Sequence, residues 1–150
     1  MLTLSKKIMV AIDGSPQSDK AAEEAVRLAA ASGSKFKSQI YALLVLPKVD
    51  APAVIDYLPD SRAVSHLSVD ETRKRMFYVM EKSAREADVA LENLIAYGEP
   101  ADEIIKMAEE KECDVIVIGS SGKGRVKRAL LGSVSTKVSL QAHISVYIVR

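Results

Sequence analysis

Two short stretches of this chain carry residue types suited to holding phosphates. One runs Val115-Ile-Val-Ile-Gly119-Ser-Ser-Gly122, crosses the basic residues Lys123, Arg125, Lys127 and Arg128, and ends at Gly132-Ser133. The other is Asp13-Gly14-Ser15, directly after the apolar run Lys7-Ile-Met-Val-Ala-Ile12. Glycine lets a backbone come close to a ligand, and a helix start presents N–H groups that lack intrahelical partners. Ser133 adds a hydroxyl at the start of a segment, Val134 to Ala142, that reads as a helix. A helix dipole contributes about 0.3–1 kcal/mol at an exposed site, whereas each charge-assisted hydrogen bond contributes about 1.5–3 kcal/mol. A backbone cradle is therefore expected to dominate. The two stretches are expected to face one another with a nucleotide between them.

The simple nucleotide motifs fail. No Gly-x-x-x-x-Gly-Lys-Ser/Thr loop occurs. Gly122-Lys-Gly124 opens like a dinucleotide fingerprint, but Lys127 stands where the third glycine belongs and the turn follows the wrong strand. What remains is the split spacing Gly119-x2-Gly122-x9-Gly132-Ser133. Competing readings stand beside it. Asp13 can cap the helix that follows it, and Gly119 and Gly122 can be ordinary turn glycines. The basic cluster can be a solvated face or can neutralise phosphate. His66 and His143 lie far apart without ligand spacing, so a metal site is not expected. Cys113, the single cysteine, cannot form an intrachain disulfide and reads as a small buried hydrophobe.

The elements that must position these residues alternate along the chain. Lys7–Ile12, Ile40–Leu46 and Val115–Ile118 are continuous apolar runs, the pattern of strands covered on both faces. Val89–Tyr97, interrupted by Glu92 and Asn93, suits an edge strand, and Ile144–Val149 supplies a fifth. Between them, Ser15 with Pro16 opens a helix carrying Ala22, Ala25, Val26 and Ala29, with Gly33 as its C-cap. Ser68 or Asp70 starts a second, with a stripe of Met76, Met80, Ala84 and Ala87. Gly98-Glu99-Pro100 leads into a third, with Ala101, Ile104, Ile105 and Ala108 on one face. The proline-punctuated segment 47–66 has no such period and is expected to be an excursion. This alternation predicts an α/β fold: an open, mostly parallel sheet with helices on both faces. Placing both candidate loops at one crevice, where strand order reverses, requires strands one and four to be neighbours and gives the order 3-2-1-4-5.

The 150 residues, 48% hydrophobic and 27% charged, fit a single globular domain over 1–150. A net charge of +1 gives no reason to expect nucleic acid or an anionic membrane as partner. No apolar run approaches a membrane span, and Met1-Leu-Thr-Leu-Ser-Lys-Lys7 lacks a cleavable apolar core, so a cytoplasmic protein is expected.

The split glycine spacing, together with Val10-Ala-Ile-Asp13-Gly14-Ser15, Ser18 and Ala21, Gly98-Glu-Pro-Ala101 and Leu131-Gly-Ser-Val-Ser135, resembles the nucleotide-binding kind of universal stress protein over essentially the whole chain. The resemblance implies a Rossmann-like fold akin to the adenine nucleotide α-hydrolases, and a cytosolic stress-response regulator. It further implies a bound ATP, ADP or AMP, with any Mg2+ or Mn2+ arriving on the nucleotide. Carried over by position, Asp13 and the backbone near Ala11 would meet the adenosine part, and Val45 the adenine. Ile118, Gly119 and Gly122 would line the ribose and phosphates, and Gly132, Ser133 and Val134 would close on the phosphate chain. Where many relatives carry histidine this chain has Ser121, which removes that side chain's contribution. No residue stands out as a base for attack on a γ-phosphate, so hydrolysis is expected to be slow or absent. The alternatives are a weak ATPase and an interaction module that binds no nucleotide. The resemblance also implies a homodimer through the last strand, and Ser145-Val-Tyr-Ile-Val149 would otherwise be an apolar open edge.

Overall fold

The computed structural model describes residues 5–33, 36–48, 69–120 and 131–150. Its centre is β1 (Lys7–Ile12), which pairs in parallel with β2 (Gln39–Leu46) on one side and β4 (Val115–Gly119) on the other. β3 (Ala90–Tyr97) joins β2, and β5 (Ser145–Val149) joins β4, both in parallel. The order is therefore β3-β2-β1-β4-β5, as the expected shared crevice requires.

β1 is apolar along its length because both of its faces are covered. Ile8, Val10 and Ile12 meet the layer of α1 (Pro16–Ala30) and α2 (Val69–Glu86). Met9 and Ala11 meet the layer of α3 (Pro100–Glu110) and α4 (Ser133–Gln141). Ile8, Met9, Ile40 and Ile116 are wholly buried, each contributing about 1.5–3 kcal/mol of hydrophobic stabilisation. β3 shows the mixed pattern of an edge. Glu92 pairs with Lys111 at 3.7 Å, and Asn93 Nδ2 donates to Glu81 Oε1 at 2.8 Å.

The helix ends follow local chemistry, with some departures from expectation. Ser15 caps α1, its Oγ accepting from Ser18 N at 3.1 Å, and Pro16 opens the helix where a missing N–H costs nothing. Gly33 does turn left-handed (φ +73°), but the C-cap is Ala31, because the chain makes one further turn before the glycine reverses it. In α2, Met76, Met80 and Ala84 are buried as expected and Phe77 joins them, whereas Ala87 is exposed because the helix stops at Glu86. Asp70 lies inside its first turn rather than at its cap. Ser68 and nearly all of the 47–66 excursion fall outside the described residues.

Helices α2 and α3 close alike. Asp88 N donates to Arg85 O and Val89 N to Ala84 O; Glu112 N donates to Glu109 O and Cys113 N to Ala108 O. This is the paired closure that normally places glycine at the left-handed position, yet Asp88 (φ +53°) and Glu112 (φ +54°) occupy it here. No helix among the described residues is long and apolar enough to cross a membrane.

Candidate functional site

Strands running in parallel deliver their carboxyl ends to one edge of the sheet, and the expected site residues gather there. Ala11 sits next to the last residue of β1, Val45 next to the last of β2, and Ile118 and Gly119 end β4. Ala11, Val45, Ile118 and Val134 belong to one apolar cluster, on the sheet face that α3 and α4 cover. Ile118 is 5% exposed, so its side chain serves the core and only its backbone is offered to a ligand. Ala11 and Val45 are half-buried.

Asp13 follows β1 and fixes its own turn. Its Oδ1 accepts from Ser15 N at 2.9 Å, while its N–H donates to Ser18 Oγ at 3.1 Å. Gly14 takes φ +80° to make that turn. The helix cap is Ser15 and not Asp13, which settles that part of the earlier alternative. Asp13 also acts on Asp19 of α1, whose carboxyl is raised by burial first, then by the charges of Glu23 and Asp13.

Gly119 serves a purpose that spacing alone does not reveal. A Cβ there would lie 2.9 Å from Gln17 Cβ and 3.0 Å from Gln17 C and O, the latter two fixed backbone atoms. Its φ is not in the left-handed region, so the requirement is one of space: the end of β4 and the first turn of α1 are packed backbone to backbone. Gly122 and the basic residues of 123–128 fall outside the described residues.

The chain that leaves β4 at Ser120 is rejoined at the start of α4. Gly132 N donates to Ser120 O at 2.6 Å, and Ser120 N donates to Val149 O at 2.8 Å. Gly132 is the N-cap of α4 and, being glycine, supplies no side-chain cap. The first intrahelical bond is Thr136 N to Gly132 O at 3.0 Å. The N–H groups of Ser133, Val134 and Ser135 thus have no intrahelical acceptor. Gly132's own N–H is spent inside the protein, so what this position offers an anion is access to the amides that follow.

Two further residues shape this edge: Ser135, which ends the Leu131–Ser135 motif but had no role assigned to it, and Lys137. Ser135 is buried, and its Oγ lies 2.9 Å from Ser120 O and 3.0 Å from Gly132 O. Lys137 ties α4 to the start of α3 through Asp102 Oδ1 at 2.8 Å and Glu99 Oε2 at 3.2 Å. Hydrogen bonds to Asp102 and then Glu99 raise its ammonium above the ordinary lysine value. Glu99 is itself the N-cap of α3, accepting from Asp102 N at 2.8 Å. A shallow depression of about 280 Å³ lined by Asp102, Ile105, Lys106, Glu109, Gln141 and His143 lies between α3 and the end of α4 and includes none of the signature residues.

With this geometry in place, comparison with known proteins is decisive for kinship. The model of the universal stress protein family matches residues 5–150. This chain belongs to the universal stress protein family. It is 35% identical over 150 residues to a universal stress protein of Methanocaldococcus jannaschii, covering 98% of this chain and 83% of that one. UspA of Lactobacillus plantarum shares the fold with a TM-score of 0.73, at 24% identity and 97% of each chain. A universal stress protein crystallised in complex with cAMP aligns with a TM-score of 0.69, at 25% identity and 97% of each chain.

Proposed function

We propose that this universal stress protein is an adenine-nucleotide-binding regulator, retaining ATP, or ADP or AMP, rather than turning it over. The observation that carries the reading is the convergence at one crevice. Ala11, Asp13 and Gly119 flank the β1–β4 junction, where strand order reverses, and the uncapped start of α4 is hydrogen-bonded onto the end of β4. A solved relative of the same fold holds cAMP. In this arrangement Val45 supplies apolar contact for the adenine, and Asp13 with the backbone near Ala11 meets the adenosine part. The backbone of Ile118 and Gly119 approaches the ribose. The amides of Ser133 and Val134, opened by Gly132, receive phosphate oxygens, and Gly122 completes the carried-over set.

Among the described residues no group of three or more His, Cys, Asp or Glu side chains is placed to hold a metal. In the proposal any Mg2+ or Mn2+ arrives on the phosphate oxygens of the nucleotide. The second part of the proposal is a homodimer through β5. That strand pairs only with β4 among the described residues, and Leu140 (80% exposed) and Tyr147 (42%) stand exposed on α4 and β5.

Thermal melting of the purified chain with and without ATP tests the nucleotide reading. At a hundredfold excess over Kd, bound ATP adds about 2.7 kcal/mol of stability. Gly132→Val keeps a backbone conformation open to valine (φ −65°, ψ 164°), so without ligand it folds, with a poorer N-cap costing about 1 kcal/mol, and it loses the ATP shift. No shift of the wild type with ATP, ADP or AMP, and no nucleotide released on denaturation, would overturn the reading.

A further inference from the structure

We infer that Ser135 is a positioning residue for phosphate: its buried hydroxyl holds the start of α4 against the end of β4 without touching the ligand. The inference rests on the nucleotide reading and adds a specific part to it. The described residues include four buried polar side chains, Ser15, Ser18, Ser38 and Ser135. Three have local or structural duties. Ser15 Oγ caps α1, Ser18 Oγ accepts from Asp13 N, and Ser38 Oγ accepts from Lys6 N and lies 2.9 Å from Ser32 Oγ.

Ser135 is different. A serine in the first turn of a helix can bond back to a carbonyl three residues earlier, and Gly132 O lies 3.0 Å away. The hydroxyl has a single proton to give, and the shorter contact directs it to Ser120 O at 2.9 Å, beyond the end of β4. That same oxygen receives Gly132 N at 2.6 Å. A carbonyl oxygen has two lone pairs, and here both have a donor from the start of α4. One bond would act as a pivot; two bonds from adjacent points on the helix fix its direction.

The amides of Ser133 and Val134 are carried on that helix start, so their placement relative to β4 depends on the second bond. With the hydroxyl gone, Ser120 O keeps its bond from Gly132 N and the fold survives, but the helix start is free to tilt. The deficit falls on groups that meet phosphate and not on those that meet adenosine. Ser135's own oxygen is buried with both contacts internal, which is why its role is indirect.

The test compares ATP, AMP and adenosine binding to the full chain by calorimetry, for wild type, Ser135→Ala and Ser135→Cys. Expected for Ser135→Ala is an ATP affinity about tenfold weaker, an AMP affinity reduced less, and an adenosine affinity unchanged. Ser135→Cys preserves the packing with a weak donor and falls between wild type and alanine, so the result holds even if the alanine variant folds poorly. Equal losses for ATP and adenosine, or full ATP affinity in both variants, would overturn the inference while leaving the nucleotide reading intact. A wild type that binds none of the three overturns the nucleotide reading and the inference with it.

Discussion

Gly119→Ala separates what the fold needs from what a ligand needs. The added methyl carbon would lie 2.9 Å from Gln17 Cβ and 3.0 Å from the carbonyl carbon and oxygen of Gln17. None of those atoms is the end of a flexible chain, so either the first turn of α1 or the tip of β4 has to move. Overpacking of this kind costs about 1–3 kcal/mol. Alanine also restricts the unfolded chain, which returns about 0.4–1 kcal/mol. The net loss is about 1–2 kcal/mol, and at roughly 2–4 °C per kcal/mol for a chain of this size it lowers Tm by about 2–8 °C. The measurement is denaturant unfolding and calorimetry of the nucleotide-free protein, followed by the same in ATP. Loss of stability without ligand, with an unchanged denaturant slope, is the expected outcome. A variant as stable as wild type without nucleotide, and impaired only in its presence, would refute the packing argument and return Gly119 to the ligand alone.

Three other outcomes follow from particular residues. Glu112→Gly relieves a left-handed residue at the end of α3, worth about 1–2 kcal/mol, and gives up an exposed 3.7 Å pair with Lys7 and about 0.4–1 kcal/mol of unfolded-chain restriction; chemical denaturation should show a net gain of about 0.5–1 kcal/mol. Burial pushes the Cys113 thiol up to about 11, so alkylation at pH 8 should be negligible until the protein is unfolded. The sign of the linkage is fixed by that upward shift: the stability it confers is whole below the free thiol value of about 8.5 and is lost as pH rises through about 11. Sedimentation at micromolar concentration should give the mass of a dimer, and Tyr147→Lys, at an exposed position of β5, should give that of a monomer; a monomeric wild type would overturn the proposed assembly.

The fold was legible because its signals are local or collective. A strand buried on both faces must be apolar through its middle, and β1 after Lys7, β2 after Gln39 and β4 are. A strand with Glu92 and Asn93 in its middle belongs at an edge, and β3 is there. Even the strand order could be argued, since two phosphate-suited turns serve one crevice only if β1 and β4 are neighbours. Other features depend on contacts between distant segments. Nothing near Gly119 in the chain announces Gln17, and Ser135 looks like any helix serine until Ser120 O is placed beside it. The left-handed closures at Asp88 and Glu112 carry no glycine and so leave no mark in the sequence. Gly33, which does carry one, marks a turn just beyond the helix rather than its cap.

The backbone of Ser120 joins two things that are usually considered apart. Its N–H holds the carbonyl of Val149, the last residue of β5, while its carbonyl holds the start of α4. A displacement of that backbone is shared by the crevice and by the outer edge of the sheet. If β5 is where two copies meet, occupancy of the crevice and the association of copies become linked equilibria, and the coupling free energy is the same read from either side. Each bound nucleotide would then change the dimer dissociation constant by the same factor by which dimerisation changes that site's nucleotide affinity. On the proposed binding and assembly, such a chain would report the adenine nucleotide level as a change in its own state of association, with no chemical step required.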